Sequence, residues 1–144
     1  MKRSLLMLVA LALMMTMAAA PAGADRPHDL TGSWLAIDVE GSFWQVTFSA
    51  SWRWNSIDSA TAPCEGYRSR LWGAVEEADD NEFVASSFYV KCLEGPLEGT
   101  VFDFGTGWQL IYEPDTDTIL TPNEDPYRDV RFCRRPCDPY DYIP

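Results

Sequence analysis

Short segments rich in aromatic and β-branched residues alternate with glycine, proline and acidic clusters along most of the chain. Such segments are typical of β-strands, because these side chains pack well on a pleated, half-buried surface. Nine segments fit the pattern: 34–39, 43–50, 52–56, 67–75, 83–92, 100–104, 108–114, 118–120 and 129–135. After residue 24, no window carries the 3.6-residue apolar repeat of a helix. The pattern predicts an all-β fold.

Alternation within these segments predicts one dry and one wet face. The inward sets are Trp44, Val46 and Phe48; Trp108, Leu110 and Tyr112; and Val84, Ser86, Phe88 and Val90. The acidic runs 76–82 and 113–118 fall between segments and are predicted hairpin tips. A single interior suits one antiparallel β-barrel of about eight strands, and a β-sandwich is the alternative that the pattern leaves open.

The first 24 residues have a different pattern. Lys2 and Arg3 precede an apolar run, and Ala22-Gly23-Ala24 has the small-x-small form of a cleavage site. This order predicts a cleaved signal peptide over 1–24, and the run is shorter than the roughly 20 residues of a membrane span. We expect a secreted or periplasmic protein without a membrane span. A single β domain over 25–137 would precede an acidic aromatic tail, 138–144, which either packs back or, by default, extends into solvent.

The composition is acidic, with 22 Asp and Glu against 11 Lys and Arg and a net charge of −11. Removing Lys2 and Arg3 with the leader leaves nine basic residues and a net charge of −13. Such a surface repels nucleic acid and favours solubility or a basic partner. We therefore expect no nucleic-acid partner, and a monomer.

Four cysteines follow the leader, and an even number in an exported small domain predicts disulfides. Three pairings are formally possible. Cys133 and Cys137 flank a short segment containing Pro136, which favours a local loop, and Cys64 would then pair with Cys92. A zinc site is the competing interpretation, but neither CxxC spacing nor a histidine supports it.

Gly32-Ser33-Trp34 and the late segment "DVRFCRR" resemble the first and last strands of lipocalin-like calycin barrels. In that family the tryptophan packs under the barrel against an arginine of the last strand. The resemblance implies that Arg134 covers the Trp34 ring in a cation–π contact. The alternative is an ordinary core tryptophan and a solvated arginine.

A longer resemblance extends from Cys64 to Arg134. The succession "CEG", "VKCLEG", "YEPDTDT" and "FCR" is similar to small exported bacterial β-proteins of unknown function. That resemblance implies the Cys64–Cys92 pairing and no activity, and the extra Cys133 and Cys137 depart from it. "LTGSW" also resembles avidin-like barrels, but Leu35 and its neighbours stand where that family has a polar ligand residue.

No catalytic signature is present. His28 is the only histidine and lies near the predicted N-terminus of the mature chain, where a Ser-His-Asp arrangement is improbable. Asp38 and Glu40, two apart on a predicted strand, have the pairing that a glycosidase uses, but 22 acidic residues make such pairs common. The acidic clusters lack the spacing of a calcium loop. We predict no catalytic residue, no cofactor and no metal.

The tryptophans are the most unusual feature, and six follow the leader. Trp52 and Trp54 flank Arg53, so both rings are expected on one strand face, lining an apolar pocket, forming an outward platform or filling an aromatic core. The candidate ligand-binding residues are Trp52, Trp54, Trp72 and Trp108. The leading hypothesis is an exported binding module for a small apolar ligand or glycan. An extracellular protein-interaction or inhibitor protein is the alternative, and a secreted hydrolase is the third.

Overall fold

The computed structural model describes residues 30–124 and 128–143, and these are built mainly of β-strands. The strands are β1 (Gly32–Ile37), β2 (Phe43–Phe48), β3 (Arg53–Thr61), β4 (Tyr67–Asp79), β5 (Glu82–Cys92), β6 (Val101–Gly105), β7 (Gln109–Glu113), β8 (Thr118–Thr121) and β9 (Val130–Arg134). Ala62–Cys64 and Pro139–Tyr142 form short 3-10 helices. Every predicted segment overlaps one of these strands, which confirms the all-β class.

Eight of the strands close into an antiparallel barrel. Neighbours follow the order β4–β3–β2–β1–β9–β8–β7–β5, and β5 pairs with β4 from Glu82 to Cys92 to complete the ring. β6 lies outside the ring and, among the described strands, pairs only with β5, over the half that β7 leaves uncovered. The predicted barrel is confirmed, and the sandwich alternative is wrong because one continuous sheet closes on itself.

A hairpin turn falls within each acidic run, as predicted, but β4 continues through the first run as far as Asp79. Asp80 and Asn81 connect β4 to β5, and the backbone φ of Asn81 is 60°. Between β7 and β8, Asp117 has a φ of 49°. Asn and Asp tolerate this left-handed conformation better than other side chains, because their short polar groups can bond locally to the backbone.

The strand register arranges the interior side chains in rows around the wall. Directly paired neighbours give three rows, which are Gly32, Phe48, Trp54, Gly73 and Phe88; Trp34, Val46, Ser56, Leu71 and Val90; and Ala36, Trp44, Asp58, Ser69 and Cys92. The first two rows are mostly large and apolar, whereas the third contains a carboxyl and a hydroxyl. The interior is therefore more polar toward the end of the barrel where β1 finishes.

β5 departs from the simple alternation that the sequence suggests. Val75 pairs with Ala85 but the preceding residue of β4 pairs with Ser87, so Ser86 is an extra residue in a β-bulge. Phe83 and Ala85 are buried before the bulge, and Val90 is buried after it. The prediction that Val84 and Ser86 share the inner face with Phe88 and Val90 is wrong, because the bulge shifts the alternation by one residue.

Two disulfides staple the barrel, in the predicted pairing. Cys64–Cys92 ties the 3-10 helix after β3 to the end of β5, and Cys133–Cys137 closes the turn after β9. Beyond Cys137, the second 3-10 helix packs against β1 and β9, and Pro139 is buried. Residues 138–143 are thus held on the barrel, which differs from the default expectation of a solvated tail.

The predicted signal peptide, 1–24, lies outside the described residues. Among the residues that are described, none belongs to a helix with the length and apolarity that crossing a bilayer requires.

Candidate functional site

One end of the barrel is closed by Trp34 and Arg134. The two residues pair across β1 and β9, and the Arg134 guanidinium carbon lies 4.1 Å from the centroid of the Trp34 ring. Trp34 is fully buried, and its Nε1 donates a hydrogen bond of 2.7 Å to the carbonyl oxygen of Leu30. This is the contact that the resemblance to calycin barrels implies, and it leaves no opening above the indole at this end.

Arg134 is fixed by a second set of partners. Its Nε donates to both carboxylate oxygens of Asp117, at 3.0 and 2.8 Å, and its Nη1 donates to the carbonyl oxygen of Thr31 at 2.8 Å. The Tyr112 hydroxyl donates to the same carboxylate at 3.0 Å. Hydrogen bonds from Arg134 hold the pKa of Asp117 below its usual value. The closed end is therefore a structural device, with its charges already paired.

The barrel interior is filled rather than hollow. Trp54 is 2% exposed, and its ring centroid lies 4.8 Å from that of Trp108 and 5.4 Å from that of Phe88. The gap between Trp108, Leu110 and Phe132 has no room for a water molecule. A central ligand cavity of the lipocalin kind is therefore absent from the described part of the barrel, and the aromatic-core alternative applies to Trp54.

A cleft of about 250 Å³ lies at the opposite, open end of the barrel. β1 leads away from Trp34 to the β1–β2 turn, and β9 begins at Val130, so this turn and the β8–β9 connection border the cleft. Its lining residues are Asp38, Val39, Glu40, Trp44, Trp108, Thr121, Pro122, Asn123, Arg128, Val130 and Phe132. The cleft joins three aromatic rings with a polar rim.

The aromatic floor consists of Trp44, Trp108 and Phe132. The two indole centroids are 6.4 Å apart at an interplanar angle of 32°, and Phe132 meets both rings nearly edge-on. Phe132 is buried, whereas both tryptophans are partly exposed. Because each tryptophan is packed on one side by the core, its remaining surface is a rigid apolar platform.

The rim is polar and carries both charges. The Asp38 carboxylate accepts hydrogen bonds from the backbone N–H groups of Glu40 and Ser42, at 2.9 and 2.8 Å, which form the β1–β2 turn. Trp44 Nε1 lies 3.4 Å from the second oxygen of Asp38. Glu40 and Arg128 form an exposed salt bridge of 2.9 Å between the turn and the β8–β9 connection. The rim thus presents hydrogen-bond donors and acceptors beside the rings.

A buried carboxyl lies next to the floor, since Asp58 pairs directly with Trp44 across β2 and β3. Asp58 is 0% exposed; its Oδ1 accepts hydrogen bonds from the Ser42 hydroxyl and from the backbone N–H of Ala60, whereas its Oδ2 has no partner among the described residues. Burial raises the pKa of Asp58 to about 6, and the Ser42 hydrogen bond only partly offsets this effect. The Ser42 N–H bonds to Asp38, so Ser42 links the rim to the buried carboxyl.

The four tryptophans predicted to bind ligand do not form one site. Trp108 lines the cleft and Trp54 packs beneath it in the core. Trp52 lies in the turn before β3, with a φ of 58°, and packs against Phe83, so it does not share a strand face with Trp54 as the alternation with Arg53 suggests. Trp72 is on the outer wall, stacked on Tyr89 at 5.6 Å.

Sequence reasoning missed Trp44, Phe132 and Asp58 as site residues. The alternation did place Trp44 inward, but that pattern does not distinguish a cleft wall from a core. Asp58 was missed because the predicted third strand ends at residue 56, whereas β3 continues to Thr61. Asp38 and Glu40 lie in a turn beyond β1, so the strand-borne carboxylate pair considered for a glycosidase does not form.

Comparisons with known proteins do not identify the site: the chain matches no family model, no curated protein and no solved structure. In residues 30–124 and 128–143, no three His, Cys, Asp or Glu side chains are grouped so that they could hold a metal ion.

Proposed function

We propose that this protein is an exported binding module that takes a glycan unit, or a ligand of similar size with an apolar face, in the open-end cleft. The observation that carries the proposal is the Trp44–Trp108 platform bordered by Asp38, Glu40 and Arg128. Sugar rings present apolar C–H faces and hydroxyl edges, which match an aromatic floor with a polar rim. The cleft is smaller than typical pockets of about 300–1,000 Å³, which favours one or two rings over a long chain.

The two disulfides support the localisation part of this proposal, secretion or residence in a periplasm, since disulfides persist in oxidising compartments. A binding role is favoured over the hydrolase alternative by the state of the rim carboxylates. Asp38 accepts hydrogen bonds from turn N–H groups and Glu40 is paired with Arg128, so both rim carboxylates are already engaged in contacts within the protein.

The test is a panel of neutral mono- and disaccharides titrated into the protein, followed by tryptophan fluorescence and calorimetry. Trp44→Phe and Trp108→Phe each remove part of the platform and are expected to weaken binding about tenfold, the equivalent of about 1.4 kcal/mol. Trp72→Phe, on the outer wall, is the matched control and should leave affinity unchanged. Equal losses in all three variants, or no saturable binding of any saccharide, would contradict the proposal.

A second candidate function is binding of an extracellular protein, and the outer edge of β6 favours it. In the described part of the chain β6 pairs only with β5, and Val101 and Phe104 beside the open edge are 52% and 47% exposed. Unpaired apolar strand edges can accept a strand from a partner. Capture from the native extracellular medium by the wild type, but not by a Val101→Lys/Phe104→Lys variant, would support this function; equal capture would oppose it.

A further inference from the structure

The outer wall of β3, β4 and β5 carries a basic and aromatic patch in an otherwise acidic protein. The patch comprises Arg53, Arg70, Trp72, Tyr89 and Lys91. All five alternate with inward residues of their strands, so their side chains share the outer face, and the three cations are exposed. Trp72 pairs directly with Tyr89, and Arg70 pairs directly with Lys91.

The three cations of this patch differ from most others in the structure. Arg68, Arg128, Arg131 and Arg134 each form a salt bridge with a carboxylate. Within the described ranges, no carboxylate lies within salt-bridge distance of Arg53, Arg70 or Lys91. The chain has twice as many acidic as basic residues. Carboxylates are therefore abundant, but among the described residues none is placed to pair with these three cations.

The pairing of Arg70 with Lys91 is unfavourable for the sheet itself. Residues directly opposite each other on antiparallel strands have Cβ atoms about 4.5–5.5 Å apart, and like charges in this position are destabilising. An anionic group bound between the two side chains would remove that repulsion. The arrangement therefore has a cost in the free protein that a bound anion would offset.

The stacked pair of Trp72 and Tyr89 indicates what kind of molecule carries the anionic group. The Arg70 guanidinium carbon lies 5.9 Å from the Trp72 centroid, so the indole helps to orient the cation before any ligand binds. Trp72 and Tyr89 are partly exposed and stacked at an interplanar angle of 21°, forming an apolar strip beside the cations. A ligand with both carboxylates or sulfates and apolar ring faces would use both parts of the patch.

We infer that this outer-wall patch binds an acidic polysaccharide, with its acid groups between Arg70 and Lys91 and its sugar rings against Trp72 and Tyr89. Three cations are too few for duplex nucleic acid, whose binding typically involves about 6–10 phosphate contacts, and the net charge of −11 opposes it. Asp103 lies opposite Tyr89 on β6 and bounds the patch on one side. Its carboxylate disfavours ligands whose negative charge extends over a broad surface. This site is separate from the open-end cleft.

The test uses alginate oligosaccharides as the acidic glycan, dextran as the neutral one and polyglutamate as an acidic polypeptide. Calorimetry is run in about 0.1 M salt, where charges more than about 10 Å away are largely screened. The wild type is expected to bind alginate and not dextran, and the affinity should fall steeply in 1 M salt. No saturable alginate binding would overturn the inference.

Variants then localise the site. Arg70→Gln/Lys91→Gln and Trp72→Ala should each reduce alginate affinity at least tenfold, with folding verified by circular dichroism. Arg135→Gln, which removes an exposed charge elsewhere, is the control and should change it less than twofold. A loss in Arg135→Gln equal to that in Arg70→Gln/Lys91→Gln, or a larger loss in the cleft variant Trp44→Phe, would overturn the assignment to the outer wall. Polyglutamate binding as tight as that of alginate and unaffected by Trp72→Ala would overturn the glycan in favour of an acidic protein.

Discussion

At the scale of single residues, Asp58 is the point where the interior departs most from an apolar core. Its pKa is raised from 3.8 to about 6 because the carboxyl is buried. The folded protein therefore holds this proton more tightly than the unfolded chain does. Ionisation of Asp58 then costs stability; the cost grows as the pH rises from about 4 to about 6 and is fully present above that range.

We expect Asp58→Asn to be more stable than the wild type at pH 7, by up to about 3 kcal/mol, since one pKa unit corresponds to about 1.36 kcal/mol. The amide keeps an acceptor for Ser42 and Ala60 but carries no charge. The difference between the two proteins should disappear below about pH 4, where Asp58 is protonated in both states. Urea unfolding at pH 3.5, 5 and 7 measures this, and a pH-independent difference would contradict the account.

Gly73 illustrates a packing requirement of a different kind. It faces Trp54 across β3 and β4, and a Cβ added there would overlap the backbone oxygen of Ser87 and come within 2.9 Å of Trp54 Nε1. The absence of a side chain therefore lets the buried indole lie close to the wall. We expect Gly73→Ala to destabilise the barrel by about 3 kcal/mol, because overpacked cores cannot relax freely.

The matched control is Gly99→Ala. Gly99 has a φ of 83° and no atom within 4 Å of an added Cβ, so that variant incurs backbone strain of about 1–2 kcal/mol without a packing clash. Denaturant melts of both variants separate the two effects. Equal destabilisation would show that close packing at Gly73 is not the dominant factor.

At the scale of elements, the nine strands could be predicted because each is a compact group of aromatic and β-branched residues between turn formers. The extent of β3 could not, since Ser59, Ala60 and Thr61 carry no strand pattern. The bulge at Ser86 was equally inaccessible, because a bulge is defined by pairing with β4 and not by local composition. The Trp34–Arg134 contact was foreseen only through a family resemblance.

At the closed end, two strands, β1 and β9, are joined through Arg134. We expect Arg134→Lys to lose about 2 kcal/mol of stability at pH 7, since lysine keeps the charge but cannot bond at once to Asp117 and Thr31 while covering Trp34. Arg135→Lys, on the next residue, is the control and should be neutral.

The closed-end prediction also has a pH dependence. Arg134 lowers the pKa of Asp117, so this carboxylate stabilises the fold above its unfolded pKa of about 3.9, and the contribution is lost as the pH falls through the lower folded value. The loss of stability caused by Arg134→Lys should therefore become smaller below about pH 4. Urea melts at pH 7 and pH 2.5 test this. If the variant is destabilised as much at pH 2.5 as at pH 7, the charge pair with Asp117 is not the source of the lost stability.

At the scale of the whole molecule, the barrel has a sealed end, a filled interior and an open-end cleft. The sequence predicts the barrel and the inward direction of Trp44 and Trp108. The sequence does not predict that these two rings border a cleft. The cleft depends on where the β1–β2 turn and the described residues between β8 and β9 lie relative to the rings. Nor does the sequence predict the outer-wall patch, whose residues come from three strands and meet only through the register.

The proposal that a neutral saccharide binds in the open-end cleft, and neither in the barrel interior nor on the outer wall, is tested by following the indole N–H signals by NMR. These signals come from Trp34, Trp44, Trp52, Trp54, Trp72 and Trp108. Single Trp→Phe variants assign the signals, and the tightest saccharide of the panel is titrated in. We expect saturable shifts of the Trp44 and Trp108 signals and no shifts of the Trp34 and Trp72 signals. Saturable shifts at Trp34 or Trp72 without shifts at Trp44 and Trp108 would contradict it.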